Sequence, residues 1–285
     1  MTSSEPSLNI NGETRIAGIV GSPIKHSKSL AIYNQAFARQ AVDAVYLAFE
    51  TCEAETIGRI EALKNLDALL INVTMPGKHQ ALACVDHVDQ AAAYVQAVNT
   101  IVKQDDGWWG YNTDGLGFWQ SACRHCGHLP GQKITIFGTG STSRVILAQA
   151  VLMGARQIKL VGRQWQRPLA IKTVIEKLRA DFPDLAITCL DLAEDDQVKS
   201  ALNQADIVVQ TTSVGMVGQV NQSVVKEADW FSPHNYVFDI IYEPDQTVFL
   251  GQAKGRGCQA FNGLLMLWGQ AEINYQLATG KNLLA

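Results

Sequence analysis

Short runs of β-branched and other apolar residues alternate with amphipathic stretches along nearly the whole chain. That alternation confines it to βαβ units around a mostly parallel sheet. In the first half the runs are Ile16–Val20, Val45–Phe49, Ala68–Val73, Val98–Val102 and Trp108–Tyr111. Between the last two, "QDDG" (104–107) reads as a hairpin turn, so an antiparallel pair closes this sheet. A second series follows: Ile134–Phe137, Ile158–Val161, Ala186–Cys189, Ile207–Val209 and Val237–Ile240. Helical patterns fill the gaps, and a final one runs from Leu264 to Leu277. The two series meet at "DGLGF" (114–118), which sets a domain boundary there.

At 285 residues the chain is long enough for two domains with well-buried interiors. A net charge of −4 without any basic run argues against a nucleic-acid partner. The polar start, "MTSSEPSLNINGET", lacks the apolar segment of a signal peptide, and no stretch is long and apolar enough to span a membrane. Six scattered cysteines point to reduced thiols and a cytoplasmic location. "CRHCGH" gathers Cys123, His125, Cys126 and His128, but no second ligand pair follows, so no metal is expected. The stretch reads instead as the end of a helix that starts at Leu116 and is capped by Gly127.

The second series opens with a nucleotide signature. "IFGTGSTSRVI" sets Gly138 and Gly140 between a strand and a helix, where one glycine permits the turn and the next lets backbone approach a pyrophosphate. A strict fingerprint would place its third glycine at Ser143. The following strand ends "LVGRQWQR", with Arg163 and Arg167 and no acid. An acid there would hold a ribose 2′-hydroxyl, whereas arginines suit a 2′-phosphate, which favours NADP.

The first series carries polar residues at strand ends. "GSPIKHSKS" places Ser27 and Ser29 at a strand-to-helix junction, where they serve either as helix caps or as an anion site. "NVTMPGK" ends in Lys78, while "AVNT" and "GYNTDG" supply Asn99, Asn112, Thr113 and Asp114. Ligands of open α/β sheets bind outside the carboxyl ends of strands, so these residues outline a site for a small hydroxylated ligand. A lysine and an aspartate in one cleft suit the proton transfer that accompanies hydride transfer. Singly, Lys78 also reads as a surface lysine and Asp114 as the N-cap of the helix from Leu116.

Together, and in this order, "GSPIKHSKS", "NVTMPGK", "AVNT", "GYNTDGLGF", "GTGSTSR", "TTSVGM", "DIIYEPDQTVFL" and "GLLMLWGQA" resemble the shikimate/quinate dehydrogenase family along essentially the whole chain. The resemblance implies a two-domain α/β fold. Residues 1–114, with the C-terminal helix 264–285 packed back on them, would bind substrate on a mixed sheet, and residues 115–263 would form a Rossmann-type NADP domain. It implies Lys78 and Asp114 as the catalytic pair, and Ser27 and Ser29 as ligands of the substrate carboxylate. Asn72, Thr74, Asn99 and Gln270 would hold the ring hydroxyls, with Tyr242 lining the same cleft. Gly138, Thr139, Gly140, Ser141, Thr142 and Ser143 would cradle the cofactor phosphates, Arg163 and Arg167 would select NADP, and Thr212 and Gly263 would complete the cofactor site. The implied reaction is the NADP-dependent interconversion of 3-dehydroshikimate and shikimate, in chorismate and aromatic amino acid biosynthesis. An NAD-dependent quinate/shikimate dehydrogenase is the alternative, opposed by the missing acid. A ligand sensor on the same fold is a further one, opposed by the intact Lys78 and Asp114. A homodimer is left open.

Several positions depart from the family pattern. Leu30 replaces a proline, Gly77 a bulky residue, Gln96 a glycine and Ser141 a loop glycine. Gly162 and Gln164 flank Arg163 where Asn and Thr are usual, "QTTSVGM" stands for "NATSxGM", and Ala278 takes the place of a tryptophan.

Overall fold

The computed structural model describes residues 9–165 and 169–284. The first series folds as β1 (Arg15–Gly21), α1 (Ser29–Arg39), β2 (Ala44–Glu50), α2 (Thr56–Asn65), β3 (Leu70–Val73), β4 (His87–Val88), α3 (Gln90–Val95), β5 (Thr100–Gln104) and β6 (Gly107–Tyr111). Helix α4 (Thr113–Cys126) leads into β7 (Lys133–Phe137), α5 (Ser141–Leu152), β8 (Gln157–Gly162), α6 (Ala170–Asp181), β9 (Ala186–Asp191), α7 (Asp195–Gln204) and β10 (Ile207–Gln210). Then come β11 (Tyr236–Asp239), α8 (Val248–Gly255), β12 (Gln259–Phe261) and α9 (Leu264–Thr279). The chain divides into two units, residues 1–113 with 270–285, and residues 114–269. Both divisions fall inside helices, α4 and α9.

The first unit is built on a mixed sheet in the order β2-β1-β3-β5-β6-β4. β1 runs parallel to β2 and β3, while β5 is antiparallel to both β3 and β6, as the hairpin at 104–107 requires. The second unit holds a six-stranded sheet, β12-β11-β10-β7-β8-β9, parallel at every pairing. In each sheet the first strand has neighbours on both sides, so strand order reverses between β1 and β3, and between β7 and β10. Such reversals open a crevice at the carboxyl ends of the strands.

Burial explains the helices. In α1 the buried Ile32, Tyr33, Ala36 and Phe37 form one stripe at helical spacing. In α4 the buried face is Phe118, Trp119, Ala122 and Cys126, with Trp119 Nε1 donating to the Ile146 carbonyl at 2.8 Å. Gly127 ends α4 in the left-handed region, φ +75°, its N–H donating to the Cys123 carbonyl at 3.0 Å. The helix begins at Thr113 rather than Leu116, so Asp114 lies in its first turn and is not its N-cap. Strand β5 begins at Thr100, two residues later than the apolar run suggests, because the Val98 N–H donates to the Lys78 carbonyl, outside the sheet. β4 and β12 escape the sequence pattern, being two and three residues long. Among the described residues no helix is long and apolar enough to cross a membrane.

Candidate active site

Within the first unit the polar residues singled out by sequence converge on one edge of the mixed sheet. Gly21 ends β1 at φ +149°, and a Cβ there would lie 2.5 Å from Thr74 Cγ2. Only glycine lets the ends of β1 and β3 come this close. Ser27 and Ser29 follow β1. Ser27 Oγ accepts from the Ser29 N–H at 3.3 Å, and α1 has no other side-chain cap at its start. Ser29 is buried, and its hydroxyl lies near enough to the Tyr46 phenol to oppose slightly the rise in its pKa. Burial and the stacked Tyr33 push the Tyr46 phenol well above its ordinary pKa, so it stays a neutral donor.

Tyr46 Oη donates to Asn72 Oδ1 at 2.8 Å, and Asn72 Nδ2 donates to Thr100 Oγ1 at 3.1 Å. Asn99 Oδ1 accepts from the Thr113 N–H at 2.9 Å. Asn99 lies at the amino end of β5, not at a carboxyl end. It reaches the same edge as Thr74 because β5 runs antiparallel to β3. Asn112 turns its amide to the Ala97 carbonyl at 2.9 Å and so braces the turn before Asn99. From α9, Asn274 joins the cluster through four side-chain bonds, to Thr100, Thr113, Tyr33 and Gln270. The sequence reading missed Tyr33, Tyr46, Thr100 and Asn274 as members of this cluster. The available signal was Asn274, an amide one helical turn after Gln270 in a largely apolar helix.

Lys78 is half-buried in the turn after β3, its backbone fixed by the Val98 N–H donating to its carbonyl at 2.8 Å. Gly77 departs from the family's bulky residue because its neighbour Thr56 fills that space: a Cβ at Gly77 would lie 2.6 Å from Thr56 Cγ2. Asp114 is half-buried and is the first residue of the second unit.

In the second unit the glycine turn sits at the reversal between β7 and β10. Gly138 has φ +118°, and a Cβ there would lie 2.4 Å from Thr211 Oγ1. Gly140 differs: a Cβ on it would meet nothing within 4 Å. Fold packing therefore requires the first glycine and not the second, which leaves an open cradle at the start of α5. That helix begins without a side-chain cap, so its N-terminal amides and positive dipole end suit a phosphate. Ser141 and Thr142 occupy its first turn. At the third fingerprint position, Ser143 is fully buried and its Oγ donates to the Gly138 carbonyl at 2.7 Å, clasping the turn.

Arg163 is exposed just after β8. Its flanking departures have a local cause. A Cβ at Gly162 would lie 2.5 Å from Thr139 Cγ2 and 3.1 Å from the Trp165 ring, and Gln164 sits at φ +58°, where a β-branched residue is strained. Trp165 Nε1 is anchored to the Leu190 carbonyl at 2.7 Å. Arg167 lies outside the described residues. Thr212 takes its place after β10, its Oγ1 accepting from the Val214 N–H at 3.1 Å. Gly263 packs against the Ile240 carbonyl so closely that a Cβ would be 1.9 Å away. Tyr242 is half-buried on the same loop, which Asp239 holds through Thr247 Oγ1 at 2.7 Å and the Ile241 N–H at 3.0 Å. Burial raises the Asp239 pKa to about 6. At the end of α4, His125 packs on the Phe261 ring at 4.2 Å, and no group of three or more His, Cys, Asp or Glu able to hold a metal occurs among the described residues.

A model of the shikimate dehydrogenase substrate-binding domain matches residues 19–101. The shikimate dehydrogenase (NADP(+)) of Alkaliphilus metalliredigens is 33% identical over 279 residues, covering 97% of this chain and 95% of that protein. The chain belongs to the shikimate dehydrogenase family. Among solved structures, shikimate 5-dehydrogenase from Listeria monocytogenes in complex with shikimate and NAD matches with a TM-score of 0.90 at 32% identity, over 96% of this chain and 94% of that one. The Thermus thermophilus enzyme in complex with NADP(H) and shikimate matches with a TM-score of 0.79 at 25% identity, over 94% of each chain. Family membership accounts for the two α/β sheets and for the glycine turn opening the second.

Proposed function

We propose that this protein interconverts 3-dehydroshikimate and shikimate with NADP. The observation that carries the reading is the neutral hydroxyl–amide cluster at one edge of the mixed sheet, Tyr46–Asn72–Thr100–Asn274, in a chain of this family. Such a cluster suits a small polyhydroxylated acid. The first unit carries substrate and the second the cofactor. The substrate carboxylate is bound by Ser27 and Ser29, and the ring hydroxyls by Asn72, Thr74, Asn99 and Gln270, with Tyr242 alongside.

The residues of the glycine turn fit a dinucleotide, since Gly140 leaves room for it and α5 starts uncapped. Gly138 through Ser143, Thr212 and Gly263 would hold NADP, and Arg163 with Arg167 would meet its 2′-phosphate. When bound, NADP supplies the hydride acceptor for shikimate oxidation. Lys78 and Asp114 are the acid–base pair that takes up the proton of the reacting hydroxyl, and the protonated lysine, not the carboxylate, stabilises negative charge developing on its oxygen. No metal is needed. The reading extends to the cytoplasm, supported by six free thiols, and to a homodimer, for sedimentation to decide.

Steady-state rates with NADP and NAD against shikimate and quinate test it. Shikimate with NADP should give the highest kcat/KM, unchanged by a chelator. Preference for NAD and quinate would establish the catabolic alternative, and no turnover with any pair would establish a sensor.

A further inference from the structure

Asn274 is wholly buried, and both ends of its amide are fully used. Its Oδ1 accepts from Thr113 Oγ1 at 2.7 Å and Thr100 Oγ1 at 2.9 Å. Its Nδ2 donates to Tyr33 Oη and Gln270 Oε1, each at 3.2 Å. An amide offers two acceptor and two donor directions, so nothing in this side chain is left over. The two threonine hydroxyls also lie near Asn99 Oδ1, at 3.0 and 3.2 Å, but each has its shorter contact with Asn274. Thr100 thus spends its one proton on Asn274 and keeps its oxygen for Asn72 Nδ2, which in turn leaves Asn72 Oδ1 for Tyr46. The polarity of the whole row follows from the orientation of one amide.

From this we infer that Asn274 is a positioning residue that sets which end of the Gln270 amide faces the substrate. Gln270 Oε1 is held by Asn274 Nδ2, so Gln270 meets its ligand through the Nε2 donor. A donor there binds the oxygen of a ring hydroxyl and leaves that hydroxyl's proton for another partner. The inference rests on the substrate-binding role proposed for Gln270. It adds that the role depends on a residue one helical turn further along α9, which touches no ligand.

Asn274→Asp separates this role from plain packing. The carboxylate keeps both threonine bonds but has no donor, so Gln270 must turn its Nε2 inward and present Oε1 to the substrate. The Kd for shikimate by calorimetry and the KM should both rise about tenfold, the size of one lost hydrogen bond plus a mismatched acceptor, with kcat within threefold and KM for NADP unchanged. Asn274→Ala keeps the helix and leaves the two threonine hydroxyls to Asn99 Oδ1, so it releases Gln270 without reversing it and should raise Kd severalfold. It decides the matter should the buried carboxylate prevent folding. In a Gln270→Ala background neither substitution should weaken shikimate further. Unchanged Kd in the folded variants, or an equal loss with Gln270 already removed, overturns the inference. A wild type that neither binds nor oxidises shikimate overturns the functional reading instead.

Discussion

The two units build their sites from opposite materials. In the first, buried side chains do the work: Tyr46 donates to Asn72, Asn72 donates to Thr100, and Thr100 and Thr113 both donate to Asn274. In the second, the decisive element is backbone: Gly138 bent to φ +118° beside Thr211, Gly140 facing open space, and a bare helix start. A lattice of amides and hydroxyls can distinguish ring positions, because each group is locked as donor or acceptor. A stripped backbone suits a phosphate of any dinucleotide, and the proposed function leaves selection to side chains such as Arg163. The difference predicts that lesions in the first site change what is recognised, and lesions in the second change how strongly the cofactor is held.

The largest expected effect tests the chemistry of the side-chain site. Lys78→Ala should lower kcat by roughly 10²–10⁴ while KM for shikimate changes little, because a proton-handling group acts in the transition state. A kcat within a few-fold of wild type would leave Lys78 a surface lysine.

Next comes a buried polar cluster of the second unit that carries an ionisable group. Asp239 has its pKa raised to about 6 by burial, above its unfolded value of 3.8. Between those values the folded protein binds more protons than the unfolded chain, so this group's contribution to stability is present below pH 3.8 and is lost as pH rises through about 6. Each tenfold difference in proton affinity between the folded and unfolded chain is worth about 1.4 kcal/mol. Relative to Asp239→Asn, wild type should therefore gain on the order of 3 kcal/mol as pH falls across that window. Denaturant midpoints of both proteins measure it. A difference that is flat with pH contradicts the burial argument. The neutral cluster of the first unit should contribute no such slope.

The two glycines of the turn sharpen the contrast inside the second unit. Gly140→Ala should leave the melting temperature within a degree or two yet raise KM for NADP tenfold or more, since the methyl enters open space where the phosphates approach. Gly138→Ala should instead lower stability, because its Cβ would meet Thr211 at 2.4 Å. Equal melting losses at both positions would refute the distinction.

The smallest effect concerns a departure in the first unit. Gln96 ends α3 in the left-handed region at φ 53°, where the family has glycine. Gln96→Gly should stabilise the protein by about 0.5–1 kcal/mol, read by denaturant titration, without altering kinetics. Destabilisation would mean that the Gln96 Nε2 bond to the Ala93 carbonyl, 2.7 Å, outweighs the strain.

Sequence alone carried the two alternating α/β series, the hairpin at 104–107 and the glycine turn, because each is fixed by local periodicity or by residues adjacent in the chain. The polar edge of the first unit was half legible. Ser27, Asn72, Lys78 and Asn99 stand beside strand runs and announce themselves. Tyr33 and Tyr46 fit the apolar faces of α1 and β2, so only three-dimensional packing shows their hydroxyls turned toward an amide. Asn274 is separated from Thr100 by 174 residues, a pairing no periodicity reports. Thr56 filling the space over Gly77 is equally non-local, and it converts an odd glycine into an ordinary exchange of volume.

The placement of Asn274 bears on the order in which the protein can be made. The cluster's other members, Tyr33 through Thr113, leave the ribosome before any of residues 114–269, and Asn274 comes after all of them. Until it arrives, Thr100 and Thr113 have only Asn99 Oδ1 as a shared acceptor, and the Tyr33 hydroxyl lacks the amide donor that meets it in the finished fold. The second unit, continuous in sequence, has everything it needs to fold during synthesis, whereas the first, though begun earlier, is finished last. A nascent chain with residues up to 269 outside the ribosome should accordingly display a protease-resistant second unit and a first unit still open to cleavage.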